Sequence, residues 1–531
     1  MSAFTRGGFW VGAIGFVVIL GIGHLGFTLP EGLTVEGVHL AAVVFLMATW
    51  WVTEALHLAA TSLIPLVAFP LLGIATVKEV SPAYADRFIL LLMGGFFVAL
   101  TLEKWNLHRR IALTIMRRIG TEPRRLVLSF MITTAVLSMW ISNTATTLMM
   151  LPIAMAILVR MSDAGMKSDV VEGVGIALML GIAYAASIGG MGTPIGTPPN
   201  IIFLKLYEEQ FPDAEPIGFL TWMLLALPVV AVMLAVTWAH LVYRVGKIPG
   251  GLGDDSGPVV EGQESQLDVG SQLDVETGRA APGYSARAVL EEEQSALGPI
   301  TRPEVRVAIV FAITAALWVF RRSIPLGDGG MVIPGWSDAL GLAGKVDDST
   351  VALAAALAMF VLPAGTGKRG ERLLDWATAV KIPWGLLLLF GGGIALARGF
   401  ANTGLSAFLG AQLVALSAVP VLVMVAVTAL LVTFLTEVTS NTATTNILIP
   451  ILGAAAVAME ANPLLLMLPA TLSASCAFML PVATAPNAIV FGSGWISIPQ
   501  MARAGFALNL VGVVVISLLL HFVAFPMLGA L

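Results

Sequence analysis

The segment Ser142-Asn143-Thr144-Ala145-Thr146-Thr147-Leu-Met-Met-Leu-Pro152-Ile153 recurs 298 residues later as Ser440-Asn441-Thr442-Ala443-Thr444-Thr445-Asn-Ile-Leu-Ile-Pro450-Ile451, with eight of twelve positions identical. Two further landmarks keep the same order. Leu-Leu-Leu-Met-Gly94-Gly95 matches Leu-Leu-Leu-Phe-Gly391-Gly392 at an offset of 297, and Thr197-Pro-Pro-Asn200 matches Thr484-Ala-Pro-Asn487 at an offset of 287. A duplication on this scale limits the fold more than any local propensity, because one supersecondary unit must serve twice.

The surroundings of the repeats fix the solvent. Of the 531 residues, 57% are hydrophobic and 11% charged, against roughly 25% charged in soluble domains. Continuous apolar runs such as 12–27, 219–243 and 508–524 approach or exceed the ~20 helical residues that cross a hydrocarbon core. The expected class is an all-α polytopic membrane protein. The runs do not alternate, which excludes a transmembrane β-barrel. The single cysteine, Cys476, excludes an intramolecular disulfide and reads as a small core residue. Arg6 precedes a first apolar run without a clear cleavage site, so that run reads as a retained helix.

The apolar segments predict about 11 transmembrane helices, at 9–28, 36–53, 58–74, 87–104, 174–192, 218–243, 304–321, 350–363, 384–400, 464–482 and 505–528. Two further segments, 126–159 and 419–459, are broken near their middles by the Ser-Asn-Thr clusters. A polar cluster at the centre of a full span is costly in lipid; at the tip of a re-entrant hairpin it is not. Both segments therefore read as re-entrant hairpins. The expected organisation is an N-terminal helix (1–35), a first repeat (36–248), a disordered acidic cytoplasmic linker (249–303) and a second repeat (304–531). The linker follows from low hydrophobicity and excess acid. Each repeat holds five spans, an odd number, so the second copy enters with opposite orientation: an inverted repeat.

Lysine and arginine set the orientation. The densest basic stretch, Lys104 to Arg125, and the loop with Lys368, Arg369, Arg372 and Lys381 are expected in the cytoplasm. The N-terminus is then cytoplasmic and the C-terminus outside, in the cell inner membrane. Arg321 and Arg322 fall outside in this scheme and oppose it mildly.

Interrupted helices at mid-membrane are where inverted-repeat transporters bind their cargo. Ser-Asn-Thr supplies hydroxyl and amide oxygens for a hard cation, and its amide, hydroxyls and the free N–H groups of the following half-helix suit an anion. Gly190, Gly192, Pro194, Gly196, Pro198 and Pro199 break a partner helix in the first copy, and Pro481 and Pro486 do so in the second. A lone Ser-Asn-Thr in a membrane helix is usually packing glue; two copies, each with a second break, point to a site. Glu437, opposite Met139 in the other copy, reads as structural. Glu54 and His57 read as interfacial, Arg398 as snorkelling, and Trp50, Trp51 and Trp384 as interface anchors. No nucleotide loop, metal-ligand cluster or nucleophile–base pair is evident, so an enzyme is not expected.

The paired motifs, with Gly-Thr-Pro-Ile-Gly-Thr-Pro-Pro-Asn at 192–200 and Met-Leu-Pro-Val-Ala-Thr-Ala-Pro-Asn-Ala at 479–488, closely resemble the divalent anion/sodium symporter family, from about residue 36 to the C-terminus outside the linker. The resemblance implies a homodimer with an elevator mechanism. It implies import of di- or tricarboxylates coupled to two or more Na+ ions per protomer, with membrane lipid and no nucleic acid as partner. By resemblance, the first sodium site uses Ser138, Ser142, Asn143 and the Gly192 carbonyl; the second uses Thr436, Thr439, Asn441 and the Ala483 carbonyl. Substrate would meet Asn143, Thr144, Asn441 and Thr442, with Thr193 and Thr484 nearby. Ala485 stands where many relatives carry proline. A sodium-independent exchanger or sulfate-type transporter of the same fold is the first alternative. A membrane receptor or scaffold without transport is the second.

Overall fold

The computed structural model describes residues 3–24, 29–30, 32–164, 166–246, 248, 286–326, 331–405, 408–409 and 419–529. Among these, nine helices are long and apolar enough to cross a membrane. The exception to helix is a two-stranded antiparallel pair, Ile324–Leu326 with Met331–Ile333. Unpaired apolar side chains such as Val17, Val67, Leu71, Leu357 and Val361 stay more than half exposed on the outside. Lipid, not water, is the solvent that suits such a surface.

Seven expected spans return as long apolar helices, and the other two of the nine are the second arms of the hairpins, Asn143–Asp163 and Asn441–Ala458. Three expected spans are shorter helices: Leu58–Leu71, Asp348–Val361 and Leu464–Ser473. The first of these is itself broken between Thr61 and Ile64, with Pro65 at the new start. The span expected at 304–321 is the helix Arg302–Val319, whose start carries Arg302, Glu304 and, at its fifth position, Arg306.

Both hairpins have the same make-up. Pro123–Ser138 and Asn143–Asp163 flank a break at 139–142; Val421–Thr436 and Asn441–Ala458 flank one at 437–440. The second landmark of each copy is again a break. Ser168–Gly190 ends before Pro198–Gln210 begins, and Leu464–Ser473 ends before Ala485–Phe491 begins. The two copies interlock. Pro198–Gln210 of the first packs on Asn441–Ala458 of the second, and Ala485–Phe491 of the second packs on Asn143–Asp163 of the first. All four breaks are thereby drawn to one place.

The Gly-Gly landmark also has a packing cause. A Cβ on Gly94 would lie 2.7 Å from the backbone of Ala352, and one on Gly392 would lie 2.7 Å from the carbonyl oxygen of Ser62. Neither position admits a side chain, so helices approach closely in both copies.

One sequence expectation needs correcting here. The basic stretch contains an amphipathic helix, Leu107–Ile119, that buries Leu107, Ala112, Leu113 and Met116. The linker expected as disordered over 249–303 ends in a helix, Ala286–Leu297, which packs on that basic helix. Excess acid signals disorder only when nothing neutralises it; here Arg109 pairs with Glu293, and Arg160 with Glu292 at 3.1 Å. Residues 249–285 of the expected linker, apart from this, lie outside the described residues.

Candidate functional site

The broken helices surround a cavity of about 830 Å3. Its wall includes Ser142, Asn143 and Thr144 from the first hairpin and Thr439, Ser440, Asn441 and Thr442 from the second. Thr197 and Pro198 enter from one paired break, and Ala483, Thr484 and Pro486 from the other. The first turns of three long helices, starting at Asn143, Pro198 and Asn441, thus face one space. The positive ends of three helix dipoles come with them, and the starts at Asn143 and Asn441 add free backbone N–H groups, which Pro198 and Pro199 lack.

The hydrogen bonds behind this wall are duplicated. Ser138 Oγ lies 2.5 Å from Asn143 Oδ1 and 2.7 Å from the Ala186 carbonyl oxygen. Thr436 Oγ1 lies 2.6 Å from Asn441 Oδ1 and 3.0 Å from the Ala474 carbonyl oxygen. A hydroxyl has one proton, so it donates to one of these at a time and keeps lone pairs for another partner. Thr147 and Thr445 each donate to the carbonyl oxygen of the asparagine, at 2.8 and 2.7 Å. Ser142 caps its helix by accepting from Ala145 N at 3.2 Å. Thr439 Oγ1 meets Leu435 O at 2.9 Å and Thr444 Oγ1 at 2.5 Å.

The second breaks are stapled alike. Asn200 Nδ2 donates to Gly190 O at 3.0 Å and Thr193 O at 2.7 Å. Asn487 Nδ2 donates to Ala477 O and Leu480 O, both at 3.0 Å. Each pair of acceptors is related by the landmark offset of 287. These asparagines are buried and shape the breaks without lining the cavity. Their place in the matched Thr-x-Pro-Asn landmarks was the available signal.

Of the expected residues, Ser142, Asn143, Thr144, Thr439, Asn441, Thr442, Ala483 and Thr484 line the cavity, while Ser138, Thr436 and Gly192 sit behind it. Thr193 departs from expectation. It is buried, and its hydroxyl donates to Met139 O, tying the hairpin break to the 191–197 turn. Thr197 occupies the wall instead. The internal alignment, which pairs Thr197 with Thr484, carried that signal.

Glu437 takes the corresponding tie in the second copy. Its Oε1 accepts from Phe478 N at 2.7 Å, Met479 N at 2.9 Å and Asn509 Nδ2 at 2.7 Å; its Oε2 accepts from Leu480 N at 3.2 Å. Two expectations of interface placement are corrected. Trp51 is buried and its indole N–H reaches Leu58 O and Ser62 Oγ, both at 3.3 Å. Arg398 does not snorkel: it pairs with Glu209 at 2.7 Å. Glu54, at the left-handed end of the helix Val35–Thr53, lines the cavity.

No lysine or arginine lines the cavity among the described residues, and Glu54 is the one carboxylate there. No cluster of three or more His, Cys, Asp or Glu able to hold a metal occurs among the described residues. A cation here would be held by neutral hydroxyl, amide and carbonyl oxygens, which suit a weakly hydrated hard ion better than a transition metal.

Fold and site together define a helical membrane protein with a duplicated, neutral, oxygen-rich cavity between broken helices. The chain belongs to the family described as the sodium:sulfate symporter transmembrane region, which it matches over residues 8–531. It is 39% identical over 525 residues to the sodium-dependent dicarboxylate transporter SdcS of Staphylococcus saprophyticus, covering 97% of this chain and 93% of that one. It is 38% identical over 503 residues to SdcS of Staphylococcus aureus strain RF122, covering 94% and 88%. Among solved structures, the Alcanivorax borkumensis YdaH transporter aligns over 98% of this chain and 99% of that one, with a TM-score of 0.48 and 13% identity. That likeness is too slight to carry an argument.

Proposed function

We propose that this protein is a sodium-coupled symporter that imports small dicarboxylates, with two or more Na+ ions per protomer. The carrying observation is the cavity itself: three helix N-termini face it, as do Asn143 and Asn441, each backed by a matched hydroxyl (Ser138, Thr436), and no lysine or arginine lines it among the described residues. The names of the relatives support the same cargo. Tricarboxylate or sulfate transport, and sodium-independent exchange, are the rival outcomes of the test below.

A doubly charged carboxylate leaving water needs compensation, since each buried charge costs several kcal/mol even after relaxation. With no fixed cation in the wall, Na+ and the helix ends are the sources, each helix end contributing roughly half a charge. One sodium site uses Ser138, Ser142, Asn143 and the Gly192 carbonyl. The other uses Thr436, Thr439, Asn441 and the Ala483 carbonyl. Asn143, Thr144, Asn441, Thr442, Thr484 and, in place of Thr193, Thr197 meet the substrate. Each asparagine joins a sodium site to the substrate, so the two bind cooperatively.

The copies are read as an inverted repeat in a homodimer, moving as an elevator in the cell inner membrane. The cavity reaches Thr5, Thr53, Glu54 and Pro383. By the distribution of lysine and arginine, these lie at the cytoplasmic end, so the conformation is read as open to the cytoplasm.

The test is succinate and sulfate binding to purified protein across a Na+ series, with choline holding ionic strength. Dicarboxylate affinity is expected to rise steeply with Na+, and succinate to tighten Na+ binding by the same factor. Asn143→Ala and Asn441→Ala are each expected to reduce uptake at least tenfold, as loss of a hydrogen-bonded group facing charge of about 1.5–3 kcal/mol predicts. Affinity independent of Na+ would favour the exchanger reading.

A further inference from the structure

On the side of the fold read as cytoplasmic lies a separate cavity of about 390 Å3. Thr114, Arg117, Arg118, Thr121, Arg287 and Gln294 wall it, and among the described residues no carboxylate does. Its charge is not balanced. Arg287 is answered by Glu291 at 2.9 Å. Arg117 meets the neutral side-chain oxygen of Gln294, and Arg118 has no ion pair among the described residues.

The surrounding basic groups differ in this respect. Arg109 pairs with Glu293, Arg110 with Glu304 at 2.7 Å, Arg125 with Glu122 at 3.4 Å and Arg160 with Glu292 at 3.1 Å. Arg124 donates to Ile248 O at 2.9 Å and lies over the Tyr243 ring. Two guanidinium groups without a carboxylate partner among the described residues therefore share one cavity, beside basic groups that, Arg124 apart, are ion-paired. Adjacent like charges repel, and an anion held between them removes that cost.

Position adds to charge. Arg117 and Arg118 form the last turn of Leu107–Ile119, which directly follows the apolar helix Arg87–Lys104 and buries its apolar face in the protein. Such a helix sits at the boundary of the hydrocarbon layer, where basic pockets meet anionic headgroups. Guanidinium groups match phosphate oxygens in pairs, and the Gln294 amide and Thr121 hydroxyl add donors.

We propose that this cavity binds a phosphate-bearing anion of the kind presented by anionic phospholipid headgroups. The anion joins Leu107–Ile119 to Ala286–Leu297. It thereby steadies the connection at Gly120–Glu122 from which the first hairpin starts.

Full-length protein is placed in nanodiscs of phosphatidylcholine alone or with phosphatidylglycerol, and phosphatidylglycerol retained after solubilisation is counted by native mass spectrometry. Arg117→Gln with Arg118→Gln is expected to weaken retention about fivefold per arginine. Arg125→Gln, outside the cavity, is expected to retain lipid as wild type does. If the double variant folds poorly, Arg118→Gln alone, which breaks no ion pair among the described residues, carries the test. A second arm titrates inorganic phosphate into phosphatidylcholine discs. A rise in melting temperature that the double variant lacks would support the same site and make soluble phosphate a source. Lipid retention unchanged by the substitutions, with no phosphate effect, would overturn the proposal.

Discussion

A Cβ at position 190 would sit 2.9 Å from Asn143 Oδ1. The amide oxygen proposed to face sodium thus depends on a residue with no side chain, one helix away. Gly190→Ala is expected to displace Asn143 and cost about 1–3 kcal/mol, the usual range for overpacking. The check is the Na+ concentration giving half-maximal uptake, which should rise while the protein still folds. A second residue effect lies outside the membrane. Asp375 accepts from Lys104 Nζ at 2.6 Å and from Thr378 N at 2.8 Å, and its pKa is held down to about 2, first by the Lys104 bond. A depressed carboxyl stabilises above its unfolded pKa, roughly 3.9, and loses that contribution as pH falls towards 2. Thermal unfolding at pH 5 and pH 3 should therefore separate more for wild type than for Asp375→Asn.

The breaks in the helices behave as elements, each needing its own acceptors and donors. In the first copy, Met139 offers only a backbone oxygen, and Thr193 supplies the donor. In the second, three successive N–H groups at 478–480 turn inward, and Glu437 accepts all three together with Asn509. Glu437→Gln keeps an acceptor oxygen but replaces the other with donors that face N–H groups. It is expected to destabilise the protein by about 1–3 kcal/mol, the cost of leaving a buried hydrogen-bonding group unsatisfied. Because Ala483 follows this break, half-saturation by Na+ should rise as well. Unchanged melting temperature and unchanged Na+ dependence would remove the positioning role.

At the scale of the molecule, a charged network lies around the far end of Pro198–Gln210. Lys205 pairs with Asp86 at 2.8 Å and also with Glu209, and Arg398 pairs with Glu209 at 2.7 Å. Lys205 and Asp86 are nearly buried. These pairs tie that helix to the helices Arg87–Lys104 and Trp384–Asn402 at the end away from the cavity mouth. If the cavity opens to the cytoplasm, the network holds the opposite side closed. A cysteine placed at Val482, which is 84% exposed and lines the cavity, reports access, since Cys476 is buried. An impermeant thiol reagent is expected to label it from the cytoplasm in otherwise wild-type protein. Adding Lys205→Met should strip one cation from two carboxylates and raise labelling from outside. Labelling from outside alone in the wild type would reverse the reading of orientation.

The class of protein, the duplication and the polar walls of the site were legible in the sequence, because each rests on short-range chemistry. Apolar runs must meet lipid whatever their neighbours do. A Ser-Asn-Thr cluster between two apolar arms must be a break, and a motif kept twice in order must be used twice. Other features needed the partner chain segments brought close in space. Thr197, not Thr193, reached the cavity because the helix Pro198–Gln210 points its start there while Thr193 turns back to Met139. Arg398 is held by Glu209, which reaches it across the fold, and Trp51 is buried because the chain turns back at Leu58–Ser62 to bring acceptors to its indole. The acidic helix Ala286–Leu297 forms where Arg109, Arg117 and Arg160 converge, from up to 184 residues away. Hydropathy and motif spacing are local properties and were fixed by the chain itself; whether a charge meets its opposite, or a helix end meets an asparagine, is a distance, and only the tertiary structure sets distances.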